Sequence, residues 1–187
     1  KDFACIAVKY GYQVLSIDLP EHGERQQGNV SFEPWNVVPE LSCIMAYCKQ
    51  HWEEISSFAN SIGAWFSMLA FANENIKNCL FVSPVVDMVS LISNMMTWAN
   101  VSELQLEQEN LIPTNFGQTL SWQYWLYAKE HPIKKWNIPT KILFGEKDNL
   151  IDNSTIETFS QNFGCELTVI KGGEHWFHTK QQLDILF

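Results

Sequence analysis

Phe58-Ala59-Asn60-Ser61-Ile62-Gly63-Ala64-Trp65-Phe66 is the stretch on which the fold turns. Ahead of it, Glu54-Ile55-Ser56-Ser57 reads as the start of a short strand. Behind it, Trp65-Phe66-Ser67-Met68-Leu69-Ala70-Phe71 reads as an apolar helix. Ser61 stands where one becomes the other. Such a serine has two readings. It caps the helix, as serines commonly do, or it is a nucleophile lifted on a sharp strand-to-helix turn. The second reading asks for small residues two places to either side, where larger side chains would collide. Ala59 and Gly63 meet that demand. The turn would also set the hydroxyl at a helix N-terminus, where free N–H groups and the helix dipole favour developing negative charge. The N–H of Ile62 is then the expected oxyanion donor.

A serine hydroxyl is a poor nucleophile near neutral pH. It needs a base, and the base needs an orienting carboxylate. Both are available downstream. Asp148 follows the apolar run Ile142-Leu143-Phe144, in Gly145-Glu146-Lys147-Asp148. His175 follows the run ending at Ile170, in Gly172-Gly173-Glu174-His175. All three candidates fall just after strand C-termini, in the chain order Ser, Asp, His.

The rest of the chain supplies the frame. Strands are expected at 14–18, 55–60, 79–83, 141–145 and 166–170. Helices are expected at 34–51, 62–72, 155–163 and 178–187, the third opened by a capping box of Ser154 and Glu157. Strands alternating with helices predict an α/β fold, a mostly parallel sheet covered by helices. Ligands of such sheets bind beyond the carboxyl ends of the strands. From Met88 to Trp136 the rhythm breaks, and this segment reads as a helical, lid-like insertion within one domain spanning residues 1–187. It holds Trp98, Trp122, Trp125 and Trp136.

Composition narrows the function. The 187 residues are 46% hydrophobic and 13% aromatic, ample for a packed core. The net charge is -9, with 12 basic against 21 acidic residues and no Lys/Arg cluster. That argues against nucleic acid and anionic membrane surfaces as partners. No window approaches eighteen uninterrupted apolar residues, so no membrane span is expected. The stretch at Lys1 shows no signal-peptide pattern. Five cysteines without a Cys-x-x-Cys pair suggest neither a disulfide framework nor a metal site, and fit a cytoplasmic setting.

Taken together, the chain resembles the α/β-hydrolase family of lid-bearing esterases and serine peptidases. Ala59-Asn60-Ser61-Ile62-Gly63 looks like its nucleophile elbow. Residues 138–148 are similar to its acid-bearing strand and loop, and Gly173-Glu174-His175 to its histidine loop. Tyr10 to Arg25 looks like a strand and loop that precede the elbow. The resemblance implies Ser61 as nucleophile, His175 as general base and then acid, and Asp148 as the orienting acid. It also implies a small-molecule ester or acyl substrate and no metal or organic cofactor. The family usually has further strands and a His-Gly loop upstream, which supply a second oxyanion donor. No His-Gly precedes Tyr10, so a catalytically impaired binding domain is the alternative, as is a peptidase.

Several residues compete for roles. Asp87 and Asp152 are rival acids, the latter more simply a helix-start charge. His178 rivals His175. His22 and Asp18 are expected to brace the turn at Pro20-Glu21-His22-Gly23. His51 and His131 read as helix-end residues, and Glu103, Glu107 and Glu109 as a wet helix face. Trp65 either narrows the acyl pocket or belongs to the core.

Overall fold

The computed structural model describes residues 2–186. Its centre is a four-stranded sheet of β1 (Ser56–Asn60), β2 (Asn78–Val82), β5 (Thr140–Gly145) and β6 (Glu166–Ile170). The strands stand side by side in that order, and every pairing is parallel. Parallel neighbours need crossover connections, and helices supply them. α3 (Ile62–Phe71) joins β1 to β2 and α7 (Asn153–Phe163) joins β5 to β6, while α1 (Asp2–Lys9) and α2 (Pro34–His51) precede β1 and α8 (Lys180–Leu186) follows β6. The expected last helix reached Phe187, which lies outside the described residues, as does Lys1.

The apolar residues that suggested this fold form its core. Phe81, Ile142 and Phe144 point from the central strands into a cluster with Phe66 and Met68 of α3, Val37 and Met45 of α2, and Ile156 of α7. Burial of such side chains is the main favourable term. α2 starts with Pro34 in its first turn, where a missing N–H does no harm. α7 starts two residues earlier than its sequence suggests. Its N-cap is Asp152, not Ser154, and the carboxylate makes no capping bond. Ser154 lies inside the helix, its carbonyl accepting the Thr158 hydroxyl, so the capping box does not form.

The expected strand at 14–18 is absent. Residues 12–19 adopt no regular secondary structure and make no ladder. Val14, Leu15 and Ile17 remain 38%, 48% and 39% exposed. β1 is the sheet's edge strand, and a cleft of about 790 Å³, lined by both segments, separates it from residues 12–19. A strand is stable only against a partner, and the apolar pattern alone provides none.

The segment between β2 and β5 also differs from expectation. It contains α4 (Met88–Trp98), α5 (Glu103–Glu109) and α6 (Trp122–Glu130), and in addition a small antiparallel hairpin of β3 (Leu111–Pro113) and β4 (Thr119–Ser121). Three-residue strands are too short to leave a period in the sequence. Glu103 is more than a wet surface residue. It accepts from Trp125 Nε1 at 3.0 Å and Lys129 Nζ at 2.7 Å, and these bonds hold its carboxyl below the usual range. Trp65 belongs to the core, 1% exposed. It stacks on Tyr124 and meets Tyr127 edge-on, so α6 is docked on the helix that follows Ser61. No helix among the described residues is long and apolar enough to cross a membrane.

Candidate functional site

Ser61 joins β1 to α3 with φ 49° and ψ -125°, a conformation that non-glycine residues rarely adopt. Neighbouring backbone holds it there. Its N–H donates to the Val82 carbonyl at 3.0 Å, and its own carbonyl accepts from Val85 N–H at 3.1 Å. Ser61 occupies the N-cap position of α3, yet its side chain makes no capping bond. The hydroxyl lies 2.8 Å from His175 Nε2 instead. Of the two readings of this serine, the cap is therefore not the one its hydroxyl adopts.

The other two predicted residues continue this hydrogen-bonded line. His175 Nδ1 lies 2.7 Å from Asp148 Oδ2. An ionised carboxylate only accepts, so Nδ1 carries the proton and Nε2 is left to accept from Ser61. Asp148 Oδ1 accepts from the N–H groups of Leu150 at 2.9 Å and Ile151 at 3.1 Å. The Asp148 side chain is 0% exposed and that of His175 16%. The carboxylate is thus fixed at both oxygens, with the imidazole partly exposed.

Two loops carry these groups, and the backbone sews them together. Glu146 N–H donates to Ile170 and Lys147 N–H to Gly173, while Gly172 N–H reaches the Glu146 carboxylate. Two glycines make the approach possible. A β-carbon on Gly145 would stand 2.5 Å from the Glu174 carbonyl oxygen, and one on Gly173 would stand 3.1 Å from the Gly145 α-carbon. Sequence reasoning placed both glycines beside the acid and the histidine. It did not see that they meet, because that contact is non-local.

Gly63 corrects the steric expectation. A β-carbon there would meet nothing within 4 Å, because the residue faces the open cleft beside β1. Ala59, the small residue on the other side of Ser61, is buried. Ile62 is the first residue of α3, and first-turn N–H groups have no intrahelical acceptor.

The rivals lie elsewhere. Asp87 caps α4, accepting from Ser90 N–H and hydroxyl. His178 bonds the Trp176 carbonyl at the surface. His22 bonds the Pro20 carbonyl and packs on Phe32. Asp18 accepts from Glu24 N–H in the same turn. His51 and His131 each bond a carbonyl one helical turn back. No group of three or more His, Cys, Asp or Glu among the described residues is placed to hold a metal ion.

No protein-family model and no curated protein matches this chain. Solved structures do. Est1E from Butyrivibrio proteoclasticus superposes with a TM-score of 0.65 at 21% identity, over 81% of this chain and 66% of that one. An alpha-beta serine hydrolase homologue from Coxiella burnetii gives 0.56 at 15%, over 89% and 62%. The Pyrococcus furiosus esterase Pf2001 gives 0.61 at 16%, over 96% and 70%. The chain thus spans slightly less than two thirds of the length of the first two. At these identities the likeness is one of fold.

Proposed function

We infer that this chain, which has the α/β-hydrolase fold, is a serine hydrolase that cleaves a carboxylic ester or a related acyl bond of a small molecule. One observation carries the reading: an unbroken hydrogen-bonded line from Ser61 Oγ through His175 to a buried Asp148, with steps of 2.8 and 2.7 Å. The Pyrococcus furiosus esterase Pf2001, whose fold this chain shares, agrees with it.

The chemistry follows from the geometry. His175 Nε2 takes the hydroxyl proton as Ser61 Oγ attacks the substrate carbonyl carbon. The carbonyl oxygen becomes an oxyanion, held by Ile62 N–H at the positive end of α3. Collapse of the tetrahedral adduct breaks the acyl–oxygen bond, and His175 returns the proton to the leaving alcohol. Water then attacks the acyl-serine through the same histidine, releasing the acid and restoring Ser61. Asp148 keeps the Nδ1 tautomer throughout and stabilises the imidazolium. An amide bond is the second substrate class for this machinery.

The test is labelling of the purified chain with a fluorophosphonate probe, beside hydrolysis of p-nitrophenyl acetate. Both should vanish in Ser61→Ala. His175→Ala should abolish turnover, and His178→Ala should not. A folded wild-type chain that neither labels nor turns over is a hydrolase-like binding domain. Reversed histidine results would move the base to His178.

A further inference from the structure

We propose that Ser83 is a positioning residue for the nucleophile, an inference that rests on the serine-hydrolase reading above. Three unfavourable features coincide at this residue. Its φ is 43°, in the left-handed region. It is 0% exposed. Its hydroxyl has no hydrogen-bond partner among the described residues, although buried polar groups are normally paired. A fourth is local: Pro84 follows, and a residue before proline prefers extended backbone. Strain that persists in a folded chain points to a function for the conformation.

The surrounding hydrogen bonds show what the conformation achieves. Val82, just before Ser83, accepts the Ser61 N–H at 3.0 Å. Val85, two residues after it, donates to the Ser61 carbonyl at 3.1 Å. The turn at Ser83 folds residues 82–85 around Ser61, so that both flanking peptide groups of the strained elbow are held from outside. Ser83 N–H meanwhile donates to the Leu143 carbonyl at 2.8 Å. Leu143 lies on β5, the strand that leads to Asp148. Ser83 is therefore the node that ties the nucleophile to the acid-bearing strand. An extended continuation of β2 would carry Val85 N–H away and leave the elbow free to relax. The unpartnered hydroxyl means that the backbone turn, and not a side-chain bond, does the positioning.

The experiment compares Ser83→Gly, Ser83→Ala and Ser83→Thr with the wild type. It measures kcat and KM for p-nitrophenyl acetate, the fluorophosphonate labelling rate, and Tm. Glycine adopts positive φ freely and should match the wild type. Alanine lacks only the idle hydroxyl and should also match. Threonine keeps the hydroxyl, but its β-branch opposes positive φ. It should lower kcat and labelling about tenfold or more, with KM within twofold, since small displacements of a nucleophile weigh heavily on rate. Val85→Pro, which deletes the N–H bonded to Ser61, should give the same split and decides the matter if the threonine variant does not fold. A merely structural role would lower Tm and leave kcat of the folded protein unchanged. Full kcat in Ser83→Thr or Val85→Pro overturns the proposal, as does an alanine loss as large as threonine's. A wild type inert to both reagents overturns the hydrolase reading and this inference with it. An active wild type beside a fully active threonine variant overturns only the positioning role.

Discussion

Gly145 and Gly173 meet backbone to backbone, and no side chain fits between them. A β-carbon on Gly145 would lie 2.6 Å from the Gly173 carbonyl oxygen and 2.5 Å from that of Glu174. These are backbone atoms, so relief requires the histidine loop to move. The expected consequence of Gly145→Ala is displacement of His175 from Ser61. Misplacement by about 1 Å can cost on the order of 10²-fold in rate. Circular dichroism should still report a folded sheet while ester hydrolysis falls by about that factor. Wild-type turnover in the alanine variant would show that the loop adapts and that the close approach is incidental.

Asp148→Asn tests the orienting role. Asp148 Oδ1 already accepts two backbone N–H groups, from Leu150 and Ile151. An amide there keeps its oxygen on those donors and turns its NH₂ toward His175. The imidazole must then accept at Nδ1 and carry its proton on Nε2, where it can no longer take one from Ser61. The expected loss in kcat is about 10³–10⁴-fold, as for other triads that lose their tautomer control. Steady-state kinetics on p-nitrophenyl acetate measure it. A loss below tenfold would remove Asp148 from the mechanism.

Stability should fall on the alkaline side for a reason distinct from the site. Burial pushes the Cys79 thiol up from 9.0 to about 12 and that of Cys165 to about 11. Above pH 9 the unfolded chain releases these protons while the native chain keeps them. The unfolded state then binds fewer protons, so unfolding free energy decreases as pH rises. The window opens at about 9 and extends to the native values. Urea midpoints at pH 8 and pH 10.5 should differ, and Cys79→Ala should flatten the difference. An unchanged slope in that variant would mean that the thiol is not the source.

The sequence made the alternation of strands and helices legible, because burial on both faces leaves apolar runs at 79–82 and 142–144. It also set Ser61, Asp148 and His175 at the strand ends, where the structure brings them together. What it hid is non-local. The segment at 14–18 carries a strand's pattern but finds no ladder partner, since β1 is an edge and a cleft intervenes. The strain at Ser83 and the contact of Gly145 with Gly173 involve residues unremarkable in their own windows. The hairpin at 111–121 was hidden because its strands are too brief to repeat.

Gly63 makes the remaining mismatch measurable. The elbow pattern treats this glycine as sterically required, yet an added β-carbon would meet nothing, and its φ is not positive. It occupies the second position of α3, where glycine mainly lends flexibility to the unfolded chain. Gly63→Ala should therefore stabilise the fold by about 0.5–1 kcal/mol. For a chain of this size that is a rise in Tm of roughly 1–4 °C. Differential scanning calorimetry decides the sign. A fall in Tm would mean that the cleft beside β1 closes onto this position in solution, and that the spacing around Ser61 is steric after all.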